Sequence, residues 1–344
     1  MADWDTEITT AYDLTRTFPC ELPDVYSRAH IRGTKETTQA ERDIRLRGDQ
    51  HLKYLVYFPA LLDSFEAEGK AMLQKIGVDA RSLDQALALG HCFPENLRYG
   101  LPKTVRSEND VVTWCQQTIF QPALLLLRLI SRVREQKKPF ALPLFDPEKD
   151  PECPALSSYP HADIIPDGIF VKQVTEDEDV LVPGVFCTIE VKSQNALNAQ
   201  VFDLLTATQM VKSSDASHTC AFGWPGENDK LSGKMNKFIV QVWSQLIETK
   251  AACAILTCHT RTYFFIRKGQ TLYMSREYRY SDRPVFALFC LLAEFLDLYP
   301  ENVVLKLPDP DVRLVTSALG GKKWHIGVDG RTSYDAVKGM GLIR

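Results

Sequence analysis

The chain has 344 residues, room for one large domain or two, and its 45% apolar share suits a globular protein with a sizeable core. Its formal net charge of −4 gives no global positive signal for a polyanion. Nine cysteines without a C-x2-C pair argue for free thiols in a reducing compartment rather than a disulfide framework.

The acidic start Met1-Ala2-Asp3-Trp4-Asp5 lacks an apolar signal core, and the longest apolar runs, Ala123–Leu127 and Val285–Ala293, are too short to span a bilayer. The expectation is an intracellular protein of cytoplasm or nucleus, with no membrane partner. Residues 1–30 hold two prolines and no sustained period. Lys35–Arg47 is charged and helical in propensity. Leu52, Leu55, Val56, Pro59 and Leu62 follow at helix-like spacing, with Pro59 as a break. Ala67–Ile76 predicts a helix stopped by Gly77, and Ser82–Leu89 a short one capped by Ser82. Residues 1–105 therefore read as a helical accessory region.

Ser107, with Asp110 three residues on, approximates a capping box. Val111, Cys115, Thr118, Ile119, Leu126, Leu129, Ile130 and Val133 then mark a long amphipathic helix, bent at Pro122 and basic at its end. Six prolines between Pro139 and Pro160 predict an irregular connection. Ile169-Phe170-Val171 and Phe186–Lys192 read as the two strands of a hairpin, with Glu176-Asp177-Glu178-Asp179 as its solvated loop. Asn195–Val211 has helical spacing, and the polar Ser213–Gly233 reads as a loop. Lys234–Lys250 is a helix, buried through Met235, Phe238, Ile239, Val242 and Leu246. Lys234, Lys237, Gln241 and Gln245 form its neighbouring polar stripe. Ala254–Cys258, Thr262–Arg267 and Thr271–Ser275 are strand-like, with a tight turn at Lys268-Gly269-Gln270. Pro284–Tyr299 is an apolar helix closed by Pro300, and residues 309–344 form an unassigned appendage.

The chemistry concentrates at Asp167, Glu190 and Lys192. Side chains two apart on a strand share a face, so Glu190 and Lys192 point one way while Ile189 and Val191 point into a core. If the Asp167 strand pairs with theirs, two carboxylates and a lysine meet at one sheet edge. Two carboxylates make a hard-oxygen site for Mg²⁺ or Mn²⁺. The lysine can orient or deprotonate a water, or neutralise developing negative charge. Taken alone, Glu190 and Lys192 read as an exposed ion pair, and Asp167-Gly168 as a turn.

Pro166-Asp167, the gap that follows, and Glu190-Val191-Lys192 resemble the PD-(D/E)xK nuclease superfamily. The element order is similar to the αβββαβ core of the restriction-endonuclease-like fold: an α/β (α+β) domain with a mixed central sheet flanked by helices. It would occupy residues 106–308. Gln241-x3-Gln245, followed by Ala254–Thr257 and Tyr263–Arg267, resembles most closely the nuclease-like domains of uncharacterised fungal proteins. The resemblance implies a metal-dependent nuclease acting on DNA or RNA, with a catalytically inactive binding module as the alternative and pairing of two chains left open.

By the same resemblance Asp167, Glu190, the Val191 carbonyl, Glu108 and His161 are candidate metal ligands. Lys192 and Gln245 join Asp167 and Glu190 as candidate catalytic residues. Glu108 reads equally as an acid complementing its helix dipole, and His161 as an ordinary histidine. From Asn228 to Arg283 ten Lys or Arg face four Asp or Glu, a local excess of six. Lys234, Lys237, Gln241, Arg261, Arg267 and Lys268 are therefore candidate nucleic-acid contacts. Cys253, Cys258 and His259 lack zinc-site spacing and read as core groups. No Walker A loop, dinucleotide-binding glycine motif or nucleophile elbow is present.

Overall fold

The computed structural model describes residues 8–17, 23–25, 45–79, 103–135, 137–140, 154–158, 166–177, 180–198, 201–202, 217–224, 234–310, 312–317, 323–326 and 332–333, with single positions at 82, 85 and 101. Its described residues form an α/β structure with a mixed, open central sheet and helices on both faces.

The helices are α1 (Ala11–Thr17), α2 (Asp63–Gln74), α3 (Glu108–Cys115), α4 (Gln121–Arg134), α5 (Lys234–Glu248) and α6 (Pro284–Phe295). The strands are β1 (Asp24–Val25), β2 (Tyr54–Tyr57), β3 (Thr104–Val105), β4 (Ala155–Ser157), β5 (Gly168–Asp177), β6 (Val180–Val191) and β7 (His218–Gly223). They continue with β8 (Cys253–Thr257), β9 (Arg261–Lys268), β10 (Thr271–Met274), β11 (Tyr278–Arg279), β12 (Val312–Ser317), β13 (Lys323–Ile326) and β14 (Thr332–Ser333).

The central sheet runs β14-β13-β12-β7-β2-β10-β9-β8-β6-β5-β4, with β11 beside β9. The expected hairpin is β5–β6, antiparallel, and β8 lies parallel to β6 with Val191 paired to Thr257. A parallel neighbour needs a crossover, and α5 sits in the connection between the two strands.

Side chains of the central strands alternate between two apolar layers. Cys187, Ile189, Val191, Ile255, Phe264 and Ile266 join α2, α3, α4 and α6 on one face. Ala254, Leu256, Tyr263, Phe265, Leu272 and Met274 join α5 on the other. Both faces are covered, so these strands are apolar on both parities. The Ser107 cap forms as expected: its hydroxyl accepts from the Asp110 N–H at 3.2 Å, and the Asp110 carboxylate accepts from the Ser107 N–H at 2.9 Å. The expected bend near Pro122 is a π-helical turn, Gln116–Phe120, between α3 and α4. Proline cannot donate and its ring crowds the carbonyl four residues back, so the helix widens just before it.

The structure departs from the sequence reading in four places, one of them the expected irregular connection Pro139–Pro160, which supplies β4. Of residues 51–65 only Asp63–Phe65 are helical, as the start of α2; Tyr54–Tyr57 is a strand between β10 and β7. The supposed accessory region thus gives a strand to the central sheet. Ser213–Gly233 contains strand β7, and the unassigned appendage supplies β12, β13 and β14. The Lys35–Arg47 helix lies largely, and the Ser82–Leu89 helix almost wholly, outside the described residues.

Helix α2 meets α6 closely because Gly69 has no side chain. A Cβ there would sit 2.7 Å from Cys290 Sγ and 3.2 Å from the Phe289 ring. Gly69→Ala should lower stability in urea by roughly 1–2 kcal/mol, overpacking outweighing the gain in helix propensity of about 1 kcal/mol. Adding Cys290→Ala should recover part of that loss. A more stable single variant would show that the helices can part without penalty.

Candidate active site

The β5–β6 register builds the site. Gly168 pairs with Ile189, so the same register sets Asp167 opposite Glu190. Cross-strand neighbours lie about 5 Å apart at Cβ, and like charges there repel. The Val191 N–H donates to Asp167 Oδ2 at 2.7 Å, tying the start of one strand to the end of the other.

Glu190 is buried, only 2% exposed. The face it shares with Lys192 is not the solvated one expected from the strand pattern, because α5 packs over it. Four contacts surround the two residues. Lys192 Nζ forms an ion pair with Glu190 Oε1. Gln241 Nε2 donates to the same oxygen at 2.6 Å, and Gln245 Nε2 donates to Oε2 at 2.5 Å. Glu108 Oε1, at the start of α3, lies 3.6 Å from Lys192 Nζ. A carboxylate only accepts, so both glutamines turn their nitrogens toward it. That choice leaves Gln245 Oε1 buried without a hydrogen-bond partner.

Desolvation and the Glu190 charge push Asp167 up, to about 7, against the pull of Lys192 and the Val191 amide. Asp167 is exposed as a residue, yet its Oδ2 turns inward to Val191, so the rise stands in direction and open water moderates it. Burial alone would lower the Lys192 pKa. The carboxylates of Glu190, Asp167 and Glu108 outweigh it and hold Lys192 above its ordinary value, as a cation.

No protein-family model matches this chain, and no curated protein and no solved structure shows significant similarity to it. The site is therefore argued from its own geometry.

That geometry gathers Asp167, Glu190, Val191, Lys192, Gln241, Gln245 and Glu108, and it moves several expected roles. Val191, expected through its carbonyl, also presents its N–H to Asp167. Gln241 contacts Glu190, and so belongs to the carboxylate site as well as to the basic stripe. His161 lies outside the described residues. Among the described residues, no group of three or more His, Cys, Asp or Glu side chains is placed to hold a metal ion.

The expected basic contacts divide. Lys237 lies one turn before Gln241 on α5, and Lys234 a turn earlier still at its start. Arg261 is engaged by Glu277, at 2.6 Å, and Glu277 also accepts from Tyr263 and Arg279. The Arg261 guanidinium is therefore already paired with an acid of its own chain. Arg267 and Lys268 sit at the far end of β9, about 20 and 23 Å of strand from Arg261, whose end lies beside the Val191–Thr257 pair. Arg267 Nε donates to the Ala251 carbonyl at 3.3 Å. Neither residue borders the carboxylates.

Sequence reasoning set aside His259, which lies in the β8–β9 turn behind the site. It is 1% exposed, its ring centroid is 6.0 Å from that of Trp114, and neither ring nitrogen has a hydrogen-bond partner.

Two outcomes follow from these burials. Lys192→Ala strands a buried carboxylate, so it should cost roughly 3 kcal/mol or more in urea unfolding at pH 7, against about 0.5 kcal/mol for an exposed lysine. A loss below that surface value would show that the pair is solvated. Burial lowers the His259 pKa to about 4. The unfolded chain therefore takes up a proton that the folded one refuses between about pH 6.5 and 4. The His259 contribution is complete above pH 6.5 and is lost as pH falls to 4, on the order of 3 kcal/mol. A His259→Leu variant should show a flatter stability profile across that window, and an unchanged slope would place the acid sensitivity elsewhere.

Proposed function

We propose that this chain is a metal-dependent nuclease that hydrolyses phosphodiester bonds of DNA or RNA with Mg²⁺ or Mn²⁺. One observation carries the reading: two acids, Asp167 and Glu190, oppose each other at the paired ends of two interior strands beside a lysine held as a cation. A structural ion pair needs one acid. A second acid directly opposite costs stability unless something positive joins it.

The fit to a divalent cation rests on the donor set and on one orphan atom. The donors are carboxylate oxygens, which suit hard ions. Gln245 Oε1 is a buried acceptor beside Glu190 and lacks a donor, which the hydration of an ion would supply. Asp167 and Glu190 would hold the cation, with the Val191 carbonyl and Glu108 at its margin. When bound, it would supply a polarised water and positive charge at the phosphate. The element order supports the PD-(D/E)xK resemblance: helices α3 and α4, the antiparallel β4–β5–β6, helix α5, then β8 parallel to β6, with β7 inserted between β6 and α5 and paired elsewhere in the sheet, with β2 and β12.

Lys192, as a cation, cannot take a proton. It orients the attacking water and offsets negative charge on the phosphate. Gln245 fixes the plane of the Glu190 carboxylate. Lys234 and Lys237 continue the α5 stripe away from Glu190, along a line that a phosphate backbone could follow.

A second reading has an observation of its own. Both Glu190 oxygens already accept hydrogen bonds from the protein, as in a nuclease-like fold that binds nucleic acid without turnover. Purified protein on single- and double-stranded DNA and RNA, with Mg²⁺, Mn²⁺ or EDTA, separates the two. Cleavage should need a metal and vanish in Asp167→Asn, a change that keeps an acceptor for the Val191 amide and relieves repulsion. Asp167→Asn should therefore melt no lower than wild type. Metal-independent retention of nucleic acid without any cleavage would overturn the nuclease reading in favour of the binding module.

A further inference from the structure

Helix α5 holds Glu190 at two points that are physically unlike. Gln245 is 1% exposed, and its main-chain carbonyl accepts from the Thr249 N–H and hydroxyl in the last turn. Its side chain donates to Oε2, the oxygen with no other described donor. It is flanked on its helix by Trp243 and Leu246, both buried in the apolar layer against the sheet. Withdrawing its amide would strand a polar group there and expose Oε2 to nothing.

Gln241 differs in each respect. It is half-buried and lies one turn nearer the helix start, and its amide shares Oε1 with Lys192. Oε1 is doubly served, once by a charge, so losing a neutral donor costs little there. Gln241 is half-buried, so its amide has solvent within reach in a way that the buried Gln245 does not.

We infer that Gln245 is the fixed positioning residue of Glu190 and that Gln241 is an exchangeable cap, whose amide competes with the divalent cation for Oε1. The inference rests on the metal-binding reading above and adds an asymmetry to it: removing one glutamine strengthens ion binding and removing the other weakens it. A merely structural pair would move both in the same direction.

The test is a Mn²⁺ titration of the full chain without nucleic acid, reading free ion by its electron paramagnetic resonance signal. Wild type, Gln241→Met and Gln245→Met keep side-chain length and net charge, and thermal melts establish that each is folded. Gln241→Met should bind Mn²⁺ roughly two- to tenfold more tightly, the worth of one net hydrogen bond. Gln245→Met should bind more weakly by a similar factor. If a methionine variant fails to fold, the corresponding alanine variant takes its place. Gln241→Met binding as wild type does, or more weakly, overturns the cap. No Mn²⁺ binding by wild type overturns the metal reading and the cap together, so the two failures are distinct.

Discussion

The structure turns on one buried carboxylate. Glu190 is almost wholly removed from water, and an ionised carboxylate without partners costs several kcal/mol in such a place. Its neighbours are arranged to meet that cost. Lys192 supplies charge from two residues along the same strand, and α5 must lie where two of its turns bring amides to the two oxygens. The apolar residues of α5 pack it over β6 and β8 as well, in the connection that makes those strands parallel, so the amides and the apolar layer agree on one placement. Replacing such a network with apolar residues would serve stability as well or better. Its presence, with a second acid opposite, is therefore poorly explained by folding alone.

Much of this was legible in the sequence because the signals are local. Ser107 and Asp110 are three apart and cap one helix end. The β5–β6 hairpin follows from two β-branched runs, and the turn after β9 from Gly269, whose φ of 59° suits glycine. Gln241 and Gln245 are one helical turn apart, so their shared face is implied by spacing. What failed was non-local. Leu52, Leu55 and Val56 fit a helical period, yet Tyr54–Tyr57 is recruited by β10, more than two hundred residues later. Four residues are too few for periodicity to separate the alternatives. Strand β7 is concealed in a polar stretch because its pairing with β2 and β12 matters more than its composition.

Charge was legible in number and illegible in place. The local excess after Asn228 is real in the sequence, but the fold disperses it. Arg261 is taken by Glu277, sixteen residues on, an acid counted only in the balance. Arg267 and Lys268 fall at the opposite end of their strand from the Asp167–Glu190 pair. A one-dimensional count cannot see that a strand separates its ends by about 3.3 Å per residue. Only the α5 stripe keeps its expected direction, because a helix preserves the neighbourhood of residues three and four apart.

The same geometry would bound how tightly the proposed site could hold an ion. Glu190 is already satisfied by a lysine and two amides, so a cation would have to displace or outbid donors that are in place. The drive for it comes from Asp167, whose charge is disfavoured by desolvation and by the acid facing it, and is favoured once a positive ion arrives. The two effects oppose each other across a few ångströms. Glu190 is never left bare in this arrangement. Under the metal-binding reading proposed above, an ion would act chiefly through the deprotonation of Asp167 and the release of a partner from Oε1. Its affinity would then depend on how easily the protein gives up its own hydrogen bonds, and not on the number of carboxylates it brings.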